Sequence, residues 1–563
     1  MDVIKALRDY ISKMVKLKSG MKVLLLDEET AGIVSMVYPQ SEILQEEVYL
    51  FERLDTTNRE IMVHLHGFCF LRPTPENLQL LKMELSKPRY GEYYLFFTNT
   101  LSKEDLELLA KADQHEVVQE VQEFYGDYYA VNPDTWSLNL SPESSLTVND
   151  PHWPSSRLRI SQGLLACLLS LKIRPYIRAQ RTSPLAMGIA QDILENLQKQ
   201  EIRDLLKTRK GPEPILLILD RQSDPVTPLL TQWTYQAMVH ELIGIKNDLV
   251  VLGKSNVLES STIVLSPQQD AFYRENMYKN FGDLGIAIKG LVDDYQSKQK
   301  TNRDIKTIED MKRFVSEYPE FRKLSGNVSK HVAIMETLQK QIGERKLLDV
   351  SELEQTLACH DGFTEAVKKM EELFGRPELN SNDLLRLLML FSLRYETHSQ
   401  YPPANIKFNA LLKARGVDDE DIKLVSVLLK YGGYQRRNNE VPIFENKSLI
   451  SILRKVVDKG LTGVTNVFTQ HKPLLAKILD ALVKGVLPEN AFPFIDGALY
   501  KERPFQVIVF YVGGITFEEA ALINELNSGF YGNNFTTNFL IGGTSIHNSK
   551  SFLDALRFYS KIQ

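Results

Sequence analysis

Two aspartates stand directly behind an apolar run: Asp220 and Asp224 follow Ile215 to Leu219 within DRQSDPVTPLL. Carboxylates at the C-terminal end of a buried strand are where α/β enzymes often place reacting groups. Pro225 and Pro228 in the same stretch favour a rigid loop, in which Asp turns and ion pairs with Arg221 take structural roles. Gly513-Gly514 and Gly542-Gly543 each end a strand pattern and precede a helix pattern, as a phosphate-binding turn would. Neither extends to G-x-G-x-x-G, and no G-x-x-x-x-G-K-[ST] occurs. Thr516 with Glu519 forms a T-x-x-E capping box, which explains its turn without a ligand. The ten histidines supply no paired metal spacing: His64 and His66 stand two apart in a strand-like or loop stretch, and His240-Glu241 lacks the second His of a zincin. No G-x-S-x-G elbow appears. Cys69, Cys167 and Cys359 are too dispersed for a metal knuckle or a disulfide framework. The residues predict no enzyme, no metal and no cofactor. The alternative is a nucleotide- or sugar-nucleotide-dependent α/β enzyme built on the Gly-Gly turns and Asp220.

Two patterns read better as partner-binding surfaces. Apolar residues recur at seven-residue steps at Phe321, Val328, Met335 and Ile342, with a companion series Leu324, His331 and Leu338. Such an a/d-like seam packs on another helix, either in an internal hairpin or from a partner. Pro319 sits inside this pattern and is expected to kink or stop the helix, as a turn or as a switch between bent and extended forms. The second pattern lies in a predicted helical stretch, Lys103 to Phe124. Leu106, Leu109, Val117, Val118 and Val121 recur there at helix-turn spacings, with Glu123 close by. Most must pack on a sheet, and any that line a gap would form a small apolar pocket for a short peptide.

The elements that position these groups follow from periodicity. Strand candidates Lys22 to Leu26, Val48 to Phe51, Phe68 to Leu71, Tyr93 to Phe97 and Tyr128 to Val131 alternate with helices such as Glu76 to Leu85. That alternation predicts a parallel sheet with helices on both faces. Ser102 and Asp105 form a capping box, and Ser141 to Ser156 reads as a linker. A second α/β unit is split. Its helices Gln162 to Ile173 and Pro184 to Thr208 lead into strand Ile215 to Leu219, and two further strands, Val507 to Val512 and Phe539 to Ile541, come near the C-terminus. Two parallel strands alone make no stable sheet, so they are expected to join the Ile215 strand. Between them lies a helical insertion: Ala271 to Tyr295, Ile308 to Glu344, Ser351 to Leu373, Asp383 to Glu396, Asp418 to Tyr431 and Leu449 to Lys459. The expected domains are α/β at 1–133, discontinuous central α/β at 134–246 and 477–563, and helical at 247–476.

Composition narrows the classes further. With 67 basic and 72 acidic residues the net charge is −5, which gives no bulk attraction to nucleic acid or anionic membrane. No window approaches the ~20 apolar residues that span a bilayer. Ile4, Leu7, Ile11 and Met14 predict a docked N-terminal helix rather than a signal peptide. A soluble protein of a reducing compartment is expected.

The run DRQSDPVTPLLTQWTYQAMVHELIGI (Asp220 to Ile245) resembles the signature of the SM, or Sec/Munc-type, regulators of SNARE-mediated membrane fusion. MKVLLLDEET, YPEFRKLSGNVSKHV, VGGITFEEA and IGGTSIHNSKSFL occur in family order, so the resemblance covers essentially the whole chain. ISKM, GIVSMVYPQSEIL, VYLFERLD, EVQEFYGDYYAVNP and NVFTQHKP are similar to the vacuolar-protein-sorting-associated subfamily, which acts with syntaxins of the trans-Golgi network and endosomes. The resemblance implies an α/β arch of three domains whose cavity cradles syntaxin helices. It implies a syntaxin N-peptide pocket of Leu106, Val118, Val121 and Glu123 with Leu101 at the rim. Pro319 matches the family's hairpin proline, which makes Phe321, Leu324, Val328, Met335 and Leu338 a template for SNARE helices. Asp27 matches a cavity carboxylate of the neuronal relative, and Gly32 stands where that relative carries a basic residue. The implied protein is a cytosolic, monomeric SNARE chaperone that meets trans-Golgi and endosomal membranes only through its SNAREs. A structural adaptor of a tethering assembly is a third reading.

Overall fold

Runs such as Lys22–Leu26 and Ile215–Asp220 are apolar almost throughout, which suits strands covered on both faces. The computed structural model places them so, and describes the chain except for residues 142–146, 207–212, 254–260, 304–307, 438–440, 445–466, 498–502, 530–536 and 563. The chain divides into two compact units. Unit one comprises Met1–Arg221, Asp480–Ile515 and Ile523–Ile546; unit two comprises Gln222–Leu479, Thr516–Leu522 and His547–Gln563.

Unit one holds two sheets. The first is built from β1 (Lys22–Leu26), β2 (Val48–Arg53), β3 (Met62–Leu71), β4 (Tyr90–Phe97) and β5 (Val118–Glu123). Its order is β2-β1-β3-β4-β5, with every pair parallel. Helices α1 (Val3–Val15), α2 (Glu28–Val37), α3 (Gln40–Gln45), α4 (Pro75–Ser86) and α5 (Lys103–Ala112) accompany it. Leu95 and Phe97 bury one face against Leu81 of α4 and Leu109 of α5. Phe68 and Phe96 bury the other against Leu7 of α1 and Ile33 of α2. The N-terminal helix docks as its spacing predicts, with Ile4, Leu7, Ile11 and Met14 all buried.

Tyr128 to Val131, expected in this first sheet, instead forms β6 (Tyr129–Asn132) of the second. Asn132 pairs with Thr135 across Pro133-Asp134, so β6 makes a tight antiparallel hairpin with β7 (Thr135–Ser137). A two-residue turn forces that neighbour and leaves no crossover back to the first sheet. The second sheet adds β8 (Tyr176–Ala179) and β9 (Ile215–Asp220), covered by α6 (Trp153–Ser170), α7 (Pro184–Gln198) and α8 (Gln200–Leu206). The C-terminal strands Gln506–Val512 and Asn538–Gly543 complete it, with Val509 paired to Leu217 on one side and Ile541 on the other. The split sheet is therefore closed as the pattern requires. Helix α6 begins inside the expected linker, because Pro154 stands in its first turn where no backbone donor is needed.

Unit two contains α9 (Tyr235–Leu242), an antiparallel ribbon of Leu249–Val251 with Thr262–Val264, α10 (Ala271–Asn276), α11 (Phe281–Arg303) and α12 (Ile308–Glu344). Shorter helices follow, as the insertion's pattern predicts. The expected helix from Ala271 to Tyr295 is broken, since Asn280 caps a new one by accepting from Asp283 N at 3.0 Å. Ser351 to Leu373 likewise divides into Leu347–Cys359 and Phe363–Phe374 around Gly362. A helix at Tyr401–Ala414 carries Pro402 and Pro403 in its first turn. The expected helix Leu449 to Lys459 lies outside the described residues. Pro319 does not stop its helix: α12 runs through it from Ile308 to Glu344. A proline removes a single ladder donor, a loss a helix of 37 residues can absorb.

Candidate functional site

The predicted helix from Lys103 to Phe124 is in fact a helix followed by an edge strand. Ser102 opens α5 by accepting from Asp105 N at 3.0 Å, while Asp105 accepts from Ser102 N in return. The helix ends at Ala112, after which the Asp113 carboxylate accepts from Val117 N at 2.9 Å and Val118 N at 3.0 Å. Glu116 takes a left-handed φ of 52° in that turn. Valines 117, 118 and 121 are β-branched and better suited to the strand that follows. Helical spacing was the wrong period for Val118, Val121 and Glu123.

The strand still gathers them. Val118 pairs with Tyr93, but Glu120 pairs with Tyr94, so Gln119 is an extra residue on β5. Beyond it Val121 pairs with Leu95 and Glu123 with Phe97. Paired residues of neighbouring strands share a face, so Val118, Val121 and Glu123 lie on the face that α5 covers. Leu101 and Val118 are half-buried against that core, whereas Leu106 is 42% and Val121 40% exposed. Glu123 ties strand to helix entry: it accepts from Leu101 N at 2.8 Å and from the Tyr125 hydroxyl at 2.8 Å. Burial, aided by the Glu123 bond, pushes the Tyr125 hydroxyl well above the ordinary tyrosine range. The result is a shaped apolar ledge at the sheet's edge.

Asp27 follows β1 and caps α2, accepting from Thr30 N at 2.8 Å. Its other oxygen accepts from Arg72 N at 2.7 Å and Asn77 Nδ2 at 2.8 Å. It lines a cleft of about 410 Å³ with Glu28, Glu29, Arg53, Asp55 and Arg72. Most of its accepting capacity is already taken by the fold. Gly32 lies within α2.

In unit two, Val328, Leu338 and Ile342 of α12 are buried and Met335 is half-buried. Met335, Leu338 and Ile342 pack in one core with Tyr235, Tyr273, Leu284 and Ile288, so the chain itself covers this part of the seam. Leu324 is partly exposed. The side chains of Pro319 and Phe321 lie outside the described residues.

The groups that suggested an enzyme have structural employment. Asp220 accepts from Ser183 Oγ at 2.5 Å; Asp224 accepts from Thr227 N at 3.0 Å, Thr227 Oγ1 at 2.6 Å and Leu474 N at 3.0 Å. Arg221 donates to the Gly514 carbonyl at 3.1 Å. Gly513 and Gly514 have φ of 89° and 88°, a left-handed turn that favours glycine. A Cβ on Gly542 would meet the Trp136 ring at 2.0 Å. Glu519 caps through Thr516 N at 2.8 Å, as its motif predicts. Among the described residues no group of three His, Cys, Asp or Glu could hold a metal, and no helix is long and apolar enough to cross a membrane.

Comparison with known proteins agrees with this chain-wide pattern. The Sec1 family model matches residues 22–555. Vacuolar protein sorting-associated protein 45 of Homo sapiens is 46% identical over 560 residues, covering 98% of this chain and 96% of that protein. The Dictyostelium discoideum protein of the same name is 45% identical over 561 residues, covering 99% and 96%. A structure described as the SM protein Vps45 in complex with the Qa SNARE Tlg2 superposes with a TM-score of 0.91 at 44% identity, covering 100% of this chain and 99% of that one. A family match over nearly the whole chain, with relatives this similar from end to end, makes this protein a member of the Sec1 family.

Proposed function

We propose that this protein binds an endosomal or trans-Golgi syntaxin and chaperones assembly of its SNARE complex, serving vesicle fusion and vacuolar and endosomal protein sorting. The observation that carries the reading is the end-to-end likeness, at 44% identity, to a protein solved with the Qa SNARE Tlg2. Members of the family are non-enzymatic SNARE regulators. The syntaxin N-terminal peptide is taken to dock on the α5–β5 ledge. Leu106 and Val121 offer apolar contact there, Val118 the floor, Leu101 the rim and Glu123 the tie that holds that rim. Asp27 is assigned to contact with syntaxin helices, and the stretch of α12 through Pro319, Phe321 and Leu324 to templating SNARE helices, while Val328, Met335 and Leu338 behind it pack inside the chain and hold that stretch in place. The division of labour follows an N-terminal domain (1–133), a discontinuous central domain (134–246 and 477–563) and a helical insertion (247–476). Holding two helices in register lowers the ordering cost of their association. The protein acts as a monomer from the cytoplasm and reaches its membranes through the SNAREs.

Capture of a syntaxin cytoplasmic region, with and without its N-terminal residues, tests this. Full-length syntaxin is expected to be retained and the truncated form retained more weakly; capture of neither would overturn the reading. Saturating nucleotides should leave the melting temperature unchanged, whereas a clear rise would favour the enzyme alternative.

A further inference from the structure

One position in the seam of α12 is polar. His331 falls in the series Leu324, His331, Leu338 and is 0% exposed. The Tyr235 hydroxyl of α9 lies 2.7 Å from its Nδ1, and Asp270 Oδ2 lies 2.9 Å from its Nε2. A carboxylate only accepts, so Nε2 carries the proton and Nδ1 accepts from Tyr235. Asp270 also caps α10, accepting from Tyr273 N at 2.9 Å, and pairs with Lys330. Phe272 packs on the imidazole with centroids 4.6 Å apart. Both ring nitrogens are thus bonded, each to a different element.

Apolar packing is non-directional, so a seam of Leu, Val, Ile and Met tolerates sliding or rotation better than a hydrogen-bonded one does. A buried polar group with two directional partners tolerates one arrangement, and a single polar seam residue is a known way to specify register. We propose that His331 is a positioning residue that sets the axial and rotational register of α12 on α9 and α10. It thereby places residues 308–327, the stretch of α12 that precedes the buried seam. The consequence for SNARE binding rests on the proposed function; the register itself does not.

The test uses the full chain with spin labels introduced as Glu275→Cys on α10 and Gln339→Cys on α12, both exposed positions. Tyr235→Phe/His331→Leu removes both the ring and its donor partner while keeping apolar volume, and His331→Gln restores a donor to Asp270. In wild type a single narrow label distance is expected. The double variant should retain cooperative unfolding, yet show a broadened or second distance and at least tenfold faster amide exchange in residues 324–342. His331→Gln should recover most of the wild-type behaviour. A narrow, unshifted distance with unchanged exchange in the double variant would overturn the proposal, as would failure of His331→Gln to restore either readout. SNARE capture is measured in parallel. If wild type fails to bind SNAREs, the functional reading fails while the register result stands.

Discussion

Val118 and Val121 are three residues apart on an edge strand and yet face the same side. The extra residue Gln119 shifts the register between them, so that they pair with Tyr93 and Leu95. Strict alternation would have sent them to opposite faces. Together with the α5 residue Leu106, which is 42% exposed, they form the ledge on which the peptide reading depends.

Leu106→Arg should therefore leave the fold intact and abolish peptide capture. An exposed helix position tolerates Arg, but a bound apolar side chain would then desolvate an unpaired charge. At least a tenfold loss, ~1.4 kcal/mol or more, is expected in anisotropy titrations with a syntaxin N-terminal peptide. Wild-type affinity in a folded variant would remove Leu106 from the site.

Glu123→Ala tests the tie rather than the contact surface. It leaves Leu101 N and the Tyr125 hydroxyl without their acceptor, a loss of about 1–3 kcal/mol in denaturant unfolding. Peptide affinity should fall with it, because the loop before α5 is released. Glu123→Gln keeps one acceptor oxygen and should lose less on both counts.

Gly542→Ala separates a packing glycine from a phosphate-binding one. The added Cβ would sit 2.0 Å from Trp136, which stacks on Phe510 in the second sheet. Destabilisation of about 3 kcal/mol, or failure to accumulate as folded protein, is expected in urea melts. An unperturbed melt would contradict the close approach.

Asp248 predicts a pH dependence with an unusual sign for a carboxylate. It is 8% exposed, and burial raises its pKa from 3.8 to about 7. Between those values the folded state holds a proton that the unfolded state has released, so this group's contribution to stability falls as pH rises from about 4 to about 7. Asp248→Asn should remove that slope and be more stable than wild type at pH 8 by on the order of 2 kcal/mol. Parallel pH–Tm curves for the two proteins would refute it.

Much of this protein is written locally. The apolar run Ile215 to Leu219, the Ser102–Asp105 and Thr516–Glu519 boxes and the 3.6-residue spacing of α1 depend on neighbours within a turn or two, so sequence alone determined them. It also determined that the second sheet had to be split, because isolated parallel strands cannot stand. What it could not carry were relationships set by distant partners. Val117 to Glu123 reads as amphipathic helix until β4 offers an open edge and Asp113 ends α5. Tyr129–Asn132 looks like a strand of the first sheet until the Pro133-Asp134 turn hands it to the second. Pro319 looks like a stop, but its effect on a helix depends on the whole length over which the ladder is held. His331 reads as one more seam residue until Tyr235 and Asp270 arrive from other helices. For β5 and for His331 the deciding energy is a hydrogen bond or a packing contact between residues far apart in the chain, and only the tertiary structure brings them together.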